Sequence, residues 1–106
     1  MDELSRFRLD GRVAVVSGGT GAIGRRVALA LAGVGAKVAV LGRSAERASD
    51  LARSIEQAGS EALLVPADVT SRDSADAAID QTTARFGRVD IVVNAVGGGA
   101  GTALHP

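Results

Sequence analysis

No cysteine, tryptophan or tyrosine occurs in this chain of 106 residues, and phenylalanine occurs only twice. Without cysteine there are no disulfides and no thiolate metal sites. With so few aromatic rings there is no platform on which unpaired bases could stack. Neither sign of charge prevails, since 12 basic side chains balance 12 acidic ones. Such a chain offers no electrostatic footprint for nucleic acid or an anionic membrane. No apolar run nears the ~20 residues that cross a bilayer. The opening stretch, Met1 to Arg6, is charged and lacks the apolar core of a signal peptide. These absences together point to the cytoplasm. The one histidine, His105, finds no partners for a metal or general-base role and reads as a solvated tail residue. No metal site is expected.

What remains is a chain with 46% apolar and 23% charged residues, the balance of a soluble globular domain. Its length suits one small domain. Four short apolar runs stand out: Val13 to Val16, Val38 to Leu41, Ala62 to Val65 and Ile91 to Val93. None alternates with polar residues, which suits strands buried on both faces, as in parallel sheets. Three helix-length segments lie between them. The first carries Ile23, Val27, Leu31 and Val34 at helical spacing and ends near Gly35. The second follows Ser44, carries Ala48, Leu51 and Ile55, and stops at Gly59. The third starts near Thr70 or Ser71, carries Ala75, Ile79 and Phe86, and stops at Gly87. A hydroxyl residue at the start and glycine past the end are the expected helix punctuation.

The pattern β-α-β-α-β-α-β, with right-handed crossovers, predicts one parallel sheet, for which the doubly wound pattern gives the order 3-2-1-4. This is the first half of a doubly wound α/β fold with one extra strand, a Rossmann-like sheet left incomplete. The first two helices should cover one face and the third the other. The fourth strand should then form an apolar edge, which predicts a marginally stable, self-associating chain. The tail from 97 to 106 begins with glycines and should be flexible.

The most informative stretch is Ser17-Gly18-Gly19-Thr20-Gly21-Ala22-Ile23-Gly24. It follows the first strand and opens the first helix. A strand that stops in a glycine-rich turn and feeds a helix leaves backbone N–H groups free at the helix start. With the positive end of the helix dipole they form a site for phosphate. The spacing Gly19-x-Gly21-x-x-Gly24 is the dinucleotide-binding fingerprint, in which a Cβ would block the tight turn or the pyrophosphate. The alternative is a glycine-rich loop with no ligand. The sheet order puts the topological switch between the first and fourth strands, where this loop and the segment after Val93 both end. NAD and NADP are told apart at the end of the second strand: an acid binds the ribose diol, whereas an arginine accommodates a 2′-phosphate. Here Gly42-Arg43-Ser44 offers a cation and a hydroxyl and no carboxylate. That favours NADP over NAD. The alternative is that Arg43 faces solvent or stacks on the adenine. Arg25 and Arg26 open the first helix and read as solvated surface.

From about Leu9 to Gly97 the chain resembles the short-chain dehydrogenase/reductase family. Leu9-Asp10-Gly11-Arg12-Val13 resembles the lead into the family's first strand, and Ser17 to Gly24 its cofactor loop. Ala67-Asp68-Val69 resembles the Asp-hydrophobic pair after the third strand. Phe86-Gly87-Arg88-Val89-Asp90-Ile91-Val92-Val93-Asn94 resembles the approach to the fourth strand and the start of the N-N-A-G motif. There are departures. Ala22 replaces the middle glycine of the main branch's T-G-x-x-x-G-x-G, and Ser17 its threonine; Gly18, Gly21 and Gly24 instead fit the spacing of the extended branch, but the longer match from Asp90 to Asn94 favours the main branch, with Gly21 compensating for Ala22. Asn94-Ala95-Val96-Gly97 keeps only the outer residues of N-N-A-G.

The resemblance implies that backbone amides from Gly19 to Gly24 hold the pyrophosphate, with Thr20 adding a hydroxyl or stabilising the turn. It implies that Asp68 accepts from the adenine amino group, the alternative being a helix-start acid. It places Asn94 beside the cofactor or as a strand-end cap. It also implies hydride transfer between nicotinamide and a carbonyl or alcohol substrate, in a parent that forms a homo-oligomer. The family's catalytic Ser, Tyr and Lys lie in its second half. Lys37, which begins the second strand, is the only lysine here. No catalytic residue is therefore assigned in this chain, which reads as the N-terminal cofactor-binding half of a longer oxidoreductase and is expected to be inactive alone. The alternatives are a stand-alone, non-catalytic nucleotide-binding or interaction module and, more remotely, a methyltransferase-type domain, which wants an acid where Gly42-Arg43 stands.

Overall fold

The computed structural model describes residues 8–18, 21–43, 45–66 and 72–95. Four strands and three helices alternate: β1 (Val13–Ser17), α1 (Ala22–Gly33), β2 (Lys37–Gly42), α2 (Ala45–Gln57), β3 (Ala62–Pro66), α3 (Arg72–Phe86) and β4 (Ile91–Asn94). All pairings are parallel and the sheet order is β3-β2-β1-β4, the order of the first half of a doubly wound fold with one extra strand. In this register Ser17 lies opposite Leu41 on one side and Asn94 on the other. No helix among the described residues is long and apolar enough to cross a membrane.

Strand periodicity divides the core between two faces. On one face Val16, Val38 and Val40 pack with Ala28 and Ala32 of α1 and with Ala48, Leu51 and Ile55 of α2. On the other, Val15, Ala39, Leu41 and Val65 pack with Ala78 of α3, and Ile79 leans on them. The first two helices thus share a face and α3 takes the opposite one. The α2 stripe of Ala48, Leu51 and Ile55 is buried as its spacing predicts.

Three expectations are corrected. In α1 the buried stripe is Gly24, Ala28 and Ala32, not Ile23, Val27 and Leu31. Ile23 is 72% exposed. The stripe with the smallest side chains wins because the glycine that opens it allows helix and strand to approach closely. In α3 the fully buried positions are Ala78 and Thr82, while Ala75, Ile79 and Phe86 are half-buried. Burial of Thr82 is tolerated because its hydroxyl donates to the Ala78 carbonyl at 2.8 Å. In β4 burial alternates between half-buried and exposed, and Val92 is 50% exposed. A run of apolar residues is buried on both sides only where both sides are covered. The expectation for the tail falls outside the described residues.

Candidate functional site

The C-terminal ends of β1, β2 and β4 bring the site together. Gly18 leaves β1 with φ +74°, a left-handed conformation that favours glycine. Its N–H donates to the Leu41 carbonyl at 3.2 Å, which ties the start of the loop to the end of β2. Gly21 N–H donates to the Gly18 carbonyl at 3.0 Å and closes a turn. The first helical bond of α1 runs from Arg25 N–H to the Gly21 carbonyl at 2.9 Å. The N–H groups of Ala22, Ile23 and Gly24 therefore have no intrahelical acceptor. Gly21 is the N-cap and contributes no side-chain cap, and the first turn carries no acid. This helix start offers donors and a positive dipole end to an anion.

Gly21 also shows what the glycine serves. Its φ of −82° and ψ of 170° suit any L-residue. Among the described residues, a Cβ placed there would meet only the Gly18 carbonyl oxygen, at an ordinary 3.5 Å. The fold does not require glycine at this position. A glycine here leaves the backbone open to close approach, the property that the fingerprint's second glycine provides.

Gly42 ends β2 half-buried opposite Pro66, and Arg43 follows it, exposed. Across the switch, Asn94 ends β4, and Ala95 N–H donates to the Ser17 carbonyl at 3.0 Å. The Ser17 hydroxyl, nearly buried, lies 3.3 Å from both the Val93 carbonyl and Asn94 Oδ1 and donates toward them. The structure thus gathers Ser17, Gly18, Gly21, Ala22, Ile23, Gly24, Gly42, Arg43, Asn94 and Ala95 at one end of the sheet. Gly19, Thr20, Ser44, Asp68, Val69, Val96 and Gly97 lie outside the described residues. Arg25 leans sideways, its guanidinium 3.3 Å from Ser54 Oγ on α2. Lys37 belongs to the opposite end of the sheet, 3.9 Å from Glu61 and over the Phe86 ring.

Sequence reasoning missed a cavity of about 200 Å³ on the α3 side, below these strand ends. From the sheet, Val15, Leu41 and Val92 line it with apolar surface, and Ser17, Asn94 and Asp76 add polar groups. Ala75, Asp76 and Ile79 face it from α3, and only the 75/79 spacing was visible in sequence. Asp76 gave no signal, because one acid near a helix start resembles any other.

A parallel sheet in this order, whose first strand ends in a glycine turn that opens a helix, is the arrangement of the doubly wound α/β folds. The short chain dehydrogenase family model matches residues 12–105, and the chain belongs to that family. The 7alpha-hydroxysteroid dehydrogenase of Escherichia coli K12 is 37% identical over 93 residues, covering 88% of this chain and 36% of that protein. A crystal structure of hydroxysteroid dehydrogenase from Escherichia coli superposes with a TM-score of 0.84 at 36% identity, over 92% of this chain and 42% of that one. A 7α-hydroxysteroid dehydrogenase complexed with NADH and 7-oxo glycochenodeoxycholic acid superposes at 0.82 with 34% identity, over 89% of this chain and 37% of that one. The chain thus spans well under half the length of these relatives.

Proposed function

We propose that residues 1–106 form the dinucleotide-binding part of an oxidoreductase that moves hydride between a nicotinamide cofactor and a carbonyl or alcohol carbon. The observation that carries this reading is the uncapped start of α1 behind a glycine, Gly21, that the fold itself does not demand. The relative solved with NADH supports the cofactor class. The amides of Ala22, Ile23 and Gly24 hold the pyrophosphate. Asn94 and Ala95 close the switch point beside it. Arg43 takes the 2′-phosphate, so NADP is preferred over NAD, supported by the absence of a carboxylate in Gly42-Arg43-Ser44. Ser44, Asp68, Val69, Val96 and Gly97 complete the site in this reading.

Bound nicotinamide supplies or accepts hydride at its C4. This chain's part is to hold the cofactor's phosphates and ribose. No tyrosine is present to pass a proton to substrate oxygen, and Lys37 belongs to the far end of the sheet. In this reading the 106 residues alone show no turnover of ketones or alcohols.

Calorimetric titration with NADPH and NADH tests the reading. Tighter binding of NADPH is expected. Gly21→Ala separates fold from ligand: thermal stability is kept or slightly raised, by up to about 1 kcal/mol, while cofactor binding falls. Unchanged binding in that variant, or none in the parent chain, would reject the site.

A further inference from the structure

We propose that Arg8 caps the C-terminal end of α1, and that residues 8–10 form a strap that fixes this helix along its axis and so positions the amides at its other end. The bearing on cofactor binding rests on the reading above; the capping does not.

The need for a strap lies in α1 itself. Its buried stripe is Gly24, Ala28 and Ala32. Side chains this small form shallow ridges and resist sliding along the axis less than large ones would. The last turn of the helix carries no basic residue, so its own sequence sets no cation against the negative end of the dipole. The closing turn uses the Gly35 N–H on the Ala32 carbonyl and the Ala36 N–H on the Leu31 carbonyl, both at 3.0 Å. The carbonyls of Gly33 and Val34 are left to be satisfied from elsewhere.

The strap supplies both partners. Leu9 N–H donates to the Val34 carbonyl at 2.6 Å. Arg8 Nη1 donates to the Gly33 carbonyl at 3.4 Å, from 25 positions away, and brings the missing cation. The same guanidinium forks onto Asp10, with Nη2 2.8 Å from Oδ1 and Nε 3.3 Å from Oδ2, which orients it. Gly35 leaves the space that this pair occupies, since a Cβ there would overlap Asp10 Oδ1. On the other side the strap is tied to the sheet. The Leu9 carbonyl accepts the Arg12 N–H at 2.9 Å, and the Arg12 carbonyl accepts the Lys37 N–H at 3.0 Å. Arg8 touches none of the candidate cofactor residues. With 12 residues in α1, it acts through about 18 Å of helix.

Amide hydrogen exchange on the whole chain, followed by NMR, tests this with Arg8→Gln, Arg8→Lys and the exchanged pair Arg8→Asp with Asp10→Arg, next to calorimetric titration with NADPH. Arg8→Gln should accelerate exchange at Leu9 and Ala36 roughly two- to fivefold, the usual worth of a cation at a helix C-terminus. Arg25, whose N–H makes the first helical bond at the other end of α1, should follow in the same direction, and so should the loss of NADPH affinity. Leu51 in α2 should change much less. Arg8→Lys keeps the cation and should restore most of the protection. The exchanged pair keeps an ion pair but sets a carboxylate against the Gly33 carbonyl, so it should exchange at least as fast as Arg8→Gln. Full protection in the exchanged pair, no rescue by lysine, or equal acceleration at Leu51 would overturn the cap. Loosening at Leu9 and Ala36 with Arg25 unchanged would overturn the positioning of the far end. The expected exchange pattern in a chain whose parent never binds NADPH would uphold the strap and reject the cofactor reading instead.

Discussion

The two edges of the sheet are built from similar residues and held by different forces. At one edge β3, Ala-Leu-Leu-Val-Pro, is partly covered on both faces, with Leu64 toward α2 and Val65 buried toward α3. Glu61, just before it, faces Lys37 and Arg85. Pro66 closes the strand and withholds a donor from any incoming chain. At the other edge β4, Ile-Val-Val-Asn, has a half-exposed Val92 that lines a cavity. Its fixed points are hydrogen bonds at its ends, Asp90 at one and Asn94 with Ala95 at the other. Apolar sequence therefore does not by itself decide how a strand is held. The layers around it do, and where they are thin, polar contacts at the strand ends set the pairing.

The contrast can be broken most forcefully from the well-packed side. Leu51 and Ile55 of α2 are fully buried beneath β2 and β3. Leu51→Ala or Ile55→Ala should each cost about 2–5 kcal/mol, read as a fall in the denaturation midpoint. If the loss is below about 1 kcal/mol, this face is not the principal core.

A second experiment acts at the strand ends facing the loop. Gly42→Asp with Arg43→Ala should reverse cofactor preference, because it adds repulsion and removes a cation. A charge-assisted hydrogen bond of about 1.5–3 kcal/mol corresponds to roughly ten- to a hundredfold in affinity. Titration with both cofactors checks it; equal affinities before mutation would remove the proposed role of Arg43.

Acid offers a graded test of the β4 edge. The Arg88 guanidinium, then the Val13 N–H and Arg12, hold the Asp90 carboxyl below its usual range. A folded-state pKa below the unfolded value means stability that is complete above about pH 4. It is lost as pH falls through the lower folded value. Asp10, lowered by Arg8, has the same sign but is exposed. Unfolding midpoints between pH 7 and 3 should therefore drop more for the parent than for Asp90→Asn. Parallel curves would show that the carboxylate contributes nothing specific.

The smallest effect on folding is expected at Val92. Val92→Lys should change stability by less than about 1 kcal/mol. It should also lower any self-association seen by sedimentation, since a charge on an edge strand discourages pairing between chains.

Most of the α2 stripe was legible because Ala48, Leu51 and Ile55 form an apolar line on a polar helix; Ala52, buried beside them, was not singled out. Helix α1 was misread because it offers several apolar lines, and sequence does not show which one fits against a strand. The glycine turn after β1 was legible because the left-handed conformation of Gly18 is a local backbone demand. The contribution of Asp90 was not, because its partners Val13 and Arg12 lie more than 70 positions away.

The sequence alone determined the alternation of strands and helices, the parallel order β3-β2-β1-β4 and the glycine turn at the switch. These follow from local apolar runs, right-handed connections and the conformations open to glycine. The tertiary structure alone decided which line of α1 is buried, how far β4 is covered, and that Asp90 and Ser17 hold its two ends. Those outcomes depend on how closely layers approach and on pairs distant in the chain, and neither quantity is carried by any single stretch of residues.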